Sequence, residues 1–239
     1  MTTPSTAPET ASAGKSASAG PGLAAVLWDM DGTLVDSEKL WDVALYETAE
    51  ALGGKLSEEQ RMTLVGSNMD DTASYLLEVT GRPVTPESVA ETGEDIRRRT
   101  AGLFDDELPW RPGARELLAA VRAAGVATAL VTSTERSLTE LALNTIGREF
   151  FDVTVCGDEV EGLNKPHPRP YLKAAELLGV DPERCVAVED SPPGTSSAVA
   201  AGCTVLVIPN DVDVEPGERR VFRETLVGLD VPALAALLK

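Results

Sequence analysis

The stretch LWDMDGTLVDSE, Leu27 to Glu38, ends an apolar run with two aspartates one residue apart. LAAVLWD, Leu23 to Asp29, reads as a short strand buried on both faces, as strands of parallel sheets are. Such a strand delivers Asp29 and Asp31 together at its carboxyl end. Two carboxylates that close repel, and burial makes each harder to ionise. A chain with this pair must leave it in water or bring a positive charge to it.

The segments that follow alternate between strand and helix. PGARELLAAVRAAG, Pro112 to Gly125, carries an apolar stripe at Ala114, Leu117, Leu118 and Val121, with Pro112 in the first turn and Gly125 as the cap. VATALVTST, FDVTVCG, RCVAVED and CTVLVIP read as further strands, and SLTELALNTIG and PYLKAAELLGV as helices. SPPGTSSAVAAG opens another helix, with Ser191 as its cap and Pro192 in its first position. This alternation predicts an α/β fold with a doubly wound, parallel, Rossmann-like sheet. Residues 37–108 break the rhythm. They show helical periodicity, with Trp41, Ala44, Leu45, Ala49 and Leu52 on one face, and no convincing strand. The expected organisation is a core of residues 23–36 and 109–239 interrupted by an all-helical cap at 37–108. That cap should lie over the carboxyl edge of the sheet, where open α/β folds bind ligands.

Residues 1–22 contain no Leu, Ile, Val or aromatic side chain and read as a disordered tail. The Gly14–Lys15–Ser16 triplet there lacks the glycine five positions earlier that a phosphate-binding loop needs. The formal net charge of −18 argues against a nucleic-acid partner or an anionic membrane surface. No apolar run approaches the ~18 residues of a membrane span. The three cysteines, Cys156, Cys185 and Cys203, form no CxxC, and Cys185 and Cys203 lie in or beside apolar runs. Buried free thiols and a reducing, cytoplasmic location are expected.

Strand ends elsewhere carry matching chemistry. One delivers Thr132 and another Glu189 and Asp190, while the loop GLNKPHPRPYL supplies Lys165. Each alone would pass for a cap or a solvated surface group. Together they place four carboxylates, a hydroxyl and an ammonium on one sheet edge. Such carboxylates suit a hard cation, and Mg²⁺ is favoured where phosphate oxygens complete its shell. The cation would also offset the repulsion between Asp29 and Asp31.

DMDGTLVDSE, Thr132, Lys165 and VEDSPPG resemble, in order and spacing, the four motifs of the haloacid dehalogenase superfamily. The resemblance runs from about Leu23 to about Leu229, and the long interval between Asp29 and Thr132 resembles that of members with a helical cap. It implies a Mg²⁺-dependent phosphatase acting on a small phosphorylated metabolite, such as a sugar phosphate. In that reading Asp29 is the nucleophile that forms an aspartyl-phosphate, and Asp31 is the general acid and then the base. Thr132, Ser133, Lys165 and Gly32, the last in the turn after the first strand, contact the phosphoryl group. Lys165 neutralises charge. Asp29, the carbonyl of Asp31 and Asp190 bind the metal, with Glu189 one step behind. A monomer is expected.

The alternative is a phosphomutase of the β-phosphoglucomutase kind, and an idle binding protein is a third reading. The intact motif residues oppose the third. A mutase must grip a second phosphate, which calls for basic cap groups. In the segment after the first motif, Trp41 stands where that enzyme has a histidine, and Met69 where it has an arginine. Arg97, Arg98 and Arg99 would serve only if their helix turned inward. The sole histidine, His167, lies in the core between prolines, where a structural or surface role is expected. Arg169 replaces the acidic residue usual after Lys-Pro, so altered local pairing is expected there. Lys39 and Lys55 are the cap lysines that phosphonate chemistry would need inside the site.

Overall fold

The computed structural model describes residues 22–104 and 107–238. The tail expected at 1–22 therefore lies, but for Gly22, outside the described residues. Strands β1 (Ala25–Trp28), β2 (Ala127–Val131), β3 (Val153–Val155), β4 (Cys185–Glu189), β5 (Thr204–Val207) and β6 (Arg220–Phe222) form one sheet in the order β3-β2-β1-β4-β5-β6. Every neighbouring pair is parallel. β1 is central and wholly buried, and its side chains alternate between two cores. Val26 and Trp28 face one, Ala25 and Leu27 the other.

Four helices follow β1: α1 (Glu38–Ala51), α2 (Glu58–Met62), α3 (Met69–Val79) and α4 (Pro86–Phe104). Among the described residues this segment holds no strand. Its helices bury their own cluster, including Leu45, Ala49, Leu76 and Ile96. The core helices are α5 (Ala114–Ala123), α6 (Arg136–Ile146), α7 (Arg169–Leu178), α8 (Pro192–Ala200) and α9 (Val231–Ala235). α5 packs with Trp28 and Leu130 on one face of the sheet, whereas Tyr171 and Ala174 of α7 pack with Leu27 and Val131 on the other. Each fully buried Leu, Val or Phe contributes about 1.5–3 kcal/mol relative to exposure. This two-sided cover is what holds β1 in place and fixes where its carboxyl end projects.

Pro112 does not open α5. The helix starts at Ala114, capped by Gly113 in a left-handed conformation (φ +80°). A Cβ on Gly113 would lie 2.3 Å from the Val227 amide, so the loop crossing there admits only glycine. Ser191 does cap α8, its side chain accepting from the Gly194 amide, with Pro192 next. All three cysteines are free and buried, and burial pushes the Cys156 thiol up to about 11 and Cys185 to about 12.

Candidate active site

β1 ends one residue before Asp29, whose amide continues the ladder by donating to Val188 O at 3.0 Å. Lys165, in the loop before α7, reaches this point from the side. Its Nζ donates to Asp29 Oδ1 and to Glu189 Oε1, both at 2.7 Å. Glu189 closes β4 and is fully buried. It also accepts from the Tyr171 hydroxyl, and from Ser191 Oγ at 3.3 Å. Lys165 is thus clamped between two carboxylates and lies 5.4 Å above the Tyr171 ring.

Asp190, next along the chain, is buried, and its Oδ2 has no hydrogen-bond partner. Gly32 makes room for it: a Cβ there would fall 2.0 Å from that oxygen. Gly32 therefore lies beneath Asp190 and is not among the residues lining the pocket, where the sequence had suggested a phosphate contact. Asp29, Glu189 and Asp190 each offer an oxygen within 4.8 Å of the others.

The electrostatics follow from this crowding. Burial pushes Asp29 up to about 7, against the pull of Lys165 and with a further push from Glu189. Asp190 is raised well above the carboxylate range by burial, then by Asp29 and Glu189. Burial would lower Lys165, but Asp29 and Glu189 outweigh it and keep the ammonium charged. One cation shared among three carboxylates leaves the cluster short of positive charge.

Asp31 is treated differently. Four donors hold it: Ser37 Oγ (2.6 Å) and Trp41 Nε1 (2.9 Å) on Oδ1, and Thr134 Oγ1 (2.7 Å) and Thr132 Oγ1 (3.4 Å) on Oδ2. The indole N–H can only donate, which fixes Oδ1 as an acceptor, whereas hydroxyls can reverse their role at Oδ2. Trp41 belongs to α1, so a cap residue touches the expected general acid directly. Ser133 Oγ in turn donates to Gly66 O of the cap at 3.2 Å. Among the described residues, the amides of Asp31 and Ser133 donate to no backbone carbonyl, and both residues line the pocket.

Asp29, Asp31, Thr132, Ser133, Lys165 and Asp190 line one pocket, with α1 and the α2–α3 loop above them. Glu189 lies behind that wall. Sequence reasoning missed Thr134, Ser37 and Tyr171. Thr134 was within reach, since it follows Thr132 by two residues in the same strand-end turn. Arg61 was also missed and corrects the expectation of a cap without an inward cation. Buried on α2, it lines the pocket, paired with Glu38 (2.6 Å) and Asp42 (2.6 Å). Burial pushes Glu38 up to about 7 despite Arg61. Arg97 pairs with Glu135 across the cap–core seam, and Arg98 and Arg99 pair with Asp95. Lys39 and Lys55 are exposed. His167 is exposed and accepts from the Arg169 amide at 3.1 Å, a surface role as expected. Arg169 pairs with Glu161 and Glu176.

A parallel sheet whose carboxyl edge gathers a lysine and an acidic cluster under inserted helices is the arrangement of a doubly wound α/β protein that binds its ligand at that edge. Residues 23–202 match the haloacid dehalogenase-like hydrolase family, and the chain belongs to it. It is 32% identical over 189 residues to hexitol phosphatase B of Escherichia coli K12, covering 78% of this chain and 84% of that protein. It is 33% identical over 181 residues to a phosphorylated carbohydrates phosphatase of Thermotoga maritima, covering 75% and 82%. Among solved structures, CbbY from Rhodobacter sphaeroides bound to xylulose-(1,5)bisphosphate superposes with a TM-score of 0.78 at 29% identity, covering 89% of this chain and 99% of that one.

Proposed function

We propose that the protein is a Mg²⁺-dependent phosphatase of small phosphorylated metabolites, sugar phosphates or similar, working through an aspartyl-phosphate on Asp29. The observation that carries this reading is the pairing at the pocket floor. Asp29 is oriented by Lys165 through Oδ1, which leaves its second oxygen for attack, and Asp31 is fastened beside it by four donors. Relatives named for phosphatases of hexitol and carbohydrate phosphates support the substrate class.

The residues fit a hard cation. The donors are carboxylate oxygens, Asp190 Oδ2 is buried and unpartnered, and the cluster lacks positive charge. Asp29, Asp190 and the Asp31 carbonyl would hold Mg²⁺, and Glu189, engaged by Lys165 and Tyr171, would stand behind them. When bound, Mg²⁺ supplies charge that neutralises carboxylate and phosphoryl oxygens.

Asp29 attacks phosphorus, the bond from phosphorus to the leaving oxygen breaks, and Asp31 gives that oxygen its proton from Oδ2. Asp31 then takes a proton from water as the water oxygen attacks phosphorus and frees Asp29. Lys165 and the Asp31 and Ser133 amides face the phosphoryl oxygens throughout. The same reading makes the protein a cytoplasmic monomer, in keeping with its three buried thiols. No helix among the described residues is long and apolar enough to cross a membrane.

The test is phosphate release from p-nitrophenyl phosphate and a panel of sugar phosphates with Mg²⁺. Activity lost on chelation and in Asp29→Asn is expected, because an amide is a poor nucleophile and a weaker ligand. Wild-type turnover in Asp29→Asn would refute the covalent route.

A further inference from the structure

The cap contributes one cation to the pocket, and its surroundings decide what that cation can do. Arg61 is 2% exposed and comes from α2. Among the described residues it is the only cationic side chain besides Lys165 that lines the pocket. An inward guanidinium opposite a phosphoryl site is the group that would clamp a second phosphate. Here it is already engaged. Glu38 Oε2 sits 2.6 Å from its Nη2, and Asp42 Oδ1 2.6 Å from its Nε. Two carboxylates against one guanidinium leave this end of the pocket neutral or negative. Its other cap walls, among them Trp41, Leu45 and Asn68, carry no positive charge.

We propose that Glu38 is a specificity determinant: by occupying Arg61 it denies the cap end of the pocket to a second phosphate and restricts the enzyme to monophosphates with an uncharged, hydroxylated far end. This rests on the phosphatase reading of the same site. A bisphosphate would place its distal dianion against the Glu38 carboxylate, or would have to displace that carboxylate from a buried pair. Either course costs more than the same movement at the surface, because desolvated charges are poorly screened. A neutral hydroxyl meets no such barrier. Glu38 Oε1 accepts from no protein donor among the described residues, so it remains available to a substrate hydroxyl. The chain thereby differs from its structural neighbour, which holds a bisphosphate.

The test compares kcat/KM for glucose 6-phosphate and glucose 1,6-bisphosphate, with Mg²⁺ at pH 8, in wild type, Glu38→Gln and Asp42→Asn. p-Nitrophenyl phosphate is run on wild type alone, to establish the chemistry. Wild type should favour the monophosphate by about tenfold or more. Glu38→Gln releases the guanidinium and should raise the bisphosphate-to-monophosphate ratio by about tenfold, the size of one good charge-assisted contact. Asp42→Asn, at a half-buried position outside the pocket, should raise it by a smaller factor. A gain in this ratio cannot come from partial unfolding. Should Glu38→Gln not fold, the wild-type preference and Asp42→Asn still decide. A wild type that favours the bisphosphate, or folded variants with an unchanged ratio, would overturn the proposal. Wild type inert toward p-nitrophenyl phosphate would instead overturn the phosphatase reading.

Discussion

Gly194→Ala should destabilise this protein, although the usual effect of such a change inside a helix is the opposite. Gly194 occupies the third position of α8, and alanine there ordinarily gains about 1 kcal/mol from helix propensity. The added methyl would, however, stand 2.1 Å from both Glu189 oxygens. Glu189 has nowhere to retreat. It is fully buried and held by Lys165, Tyr171 and Ser191. Overpacking of a filled core costs about 1–3 kcal/mol. Disturbing a hydrogen bond to a buried charge adds roughly 1.5–3 kcal/mol. Set against the helix gain, the net loss is about 1.5–5 kcal/mol. For a chain of this size that lowers Tm by roughly 3–20 °C.

Lys165 shares the displaced carboxylate with Asp29, so kcat should fall by about tenfold or more, with a smaller change in KM. Thermal unfolding followed by circular dichroism, beside steady-state kinetics, measures both. The coupling can be isolated as well. In a Glu189→Ala background the clash partner is gone, and Gly194→Ala should then be nearly neutral. An unchanged or raised Tm for Gly194→Ala in the otherwise wild-type protein would show that the Glu189 clamp yields easily and does not fix Lys165.

Trp41→Phe keeps an aromatic ring near Phe104 but removes the 2.9 Å donor to Asp31; kcat should drop about 10–100-fold with KM little changed, and wild-type kcat would dismiss the indole as a positioning group. Asp29 is held near pH 7 and Asp190 is also raised, so Mg²⁺ must displace protons to bind. Calorimetry in buffers of different ionisation enthalpy should show proton release, with affinity weaker at pH 6 than at pH 8; pH-independent affinity would contradict this. For the metal-free protein the sign is set by folded-state values raised above 3.8 for Asp29 and 4.5 for Glu38. The stability these groups contribute is fully present below pH 4 and is lost as pH rises through about 7. Chemical denaturation in EDTA should therefore give a lower midpoint at pH 8 than at pH 5.5, and added Mg²⁺ should reduce that gap.

What the sequence disclosed is what local pattern controls. Apolar runs of four or five residues ending in charged or hydroxyl residues identify β1, β2 and β4, and the residues just past them carry much of the chemistry. Asp29, Asp31, Thr132, Lys165 and Asp190 accordingly meet at one pocket as expected. β6 escaped because its three residues, Arg220 to Phe222, are only half-buried and have no apolar pattern. α2 escaped because five residues, mostly charged, show no periodicity, although Ser57 and Gln60 form a full capping box. The Arg61–Glu38 pair spans 23 residues and two helices whose packing no single-chain pattern encodes. Tyr171 lies in a segment that the sequence marks only as a helix, and its hydroxyl gains significance once α7 packs against the sheet and brings it to Glu189.

The two buried cations of the pocket obey one rule with opposite results. Lys165 is held by Asp29 and Glu189, and Arg61 by Glu38 and Asp42. At the floor Asp190 is a third carboxylate with an unpartnered oxygen, and Asp31 lines the same pocket. Negative charge there exceeds what one ammonium can balance. A phosphate dianion could not approach unless a divalent cation came with it or before it. The proposed need for Mg²⁺ would follow from that imbalance. At the cap end the excess is smaller, and no oxygen of Glu38 or Asp42 lies close enough to the floor cluster to join it. Nothing there recruits a cation, so nothing there welcomes an anion. The pocket is polarised along its length, with anion binding possible only at the sheet edge where Asp29 waits. A substrate with one phosphate and a neutral far end fits that polarity in one orientation, and that orientation would place its phosphorus at Asp29, the proposed nucleophile.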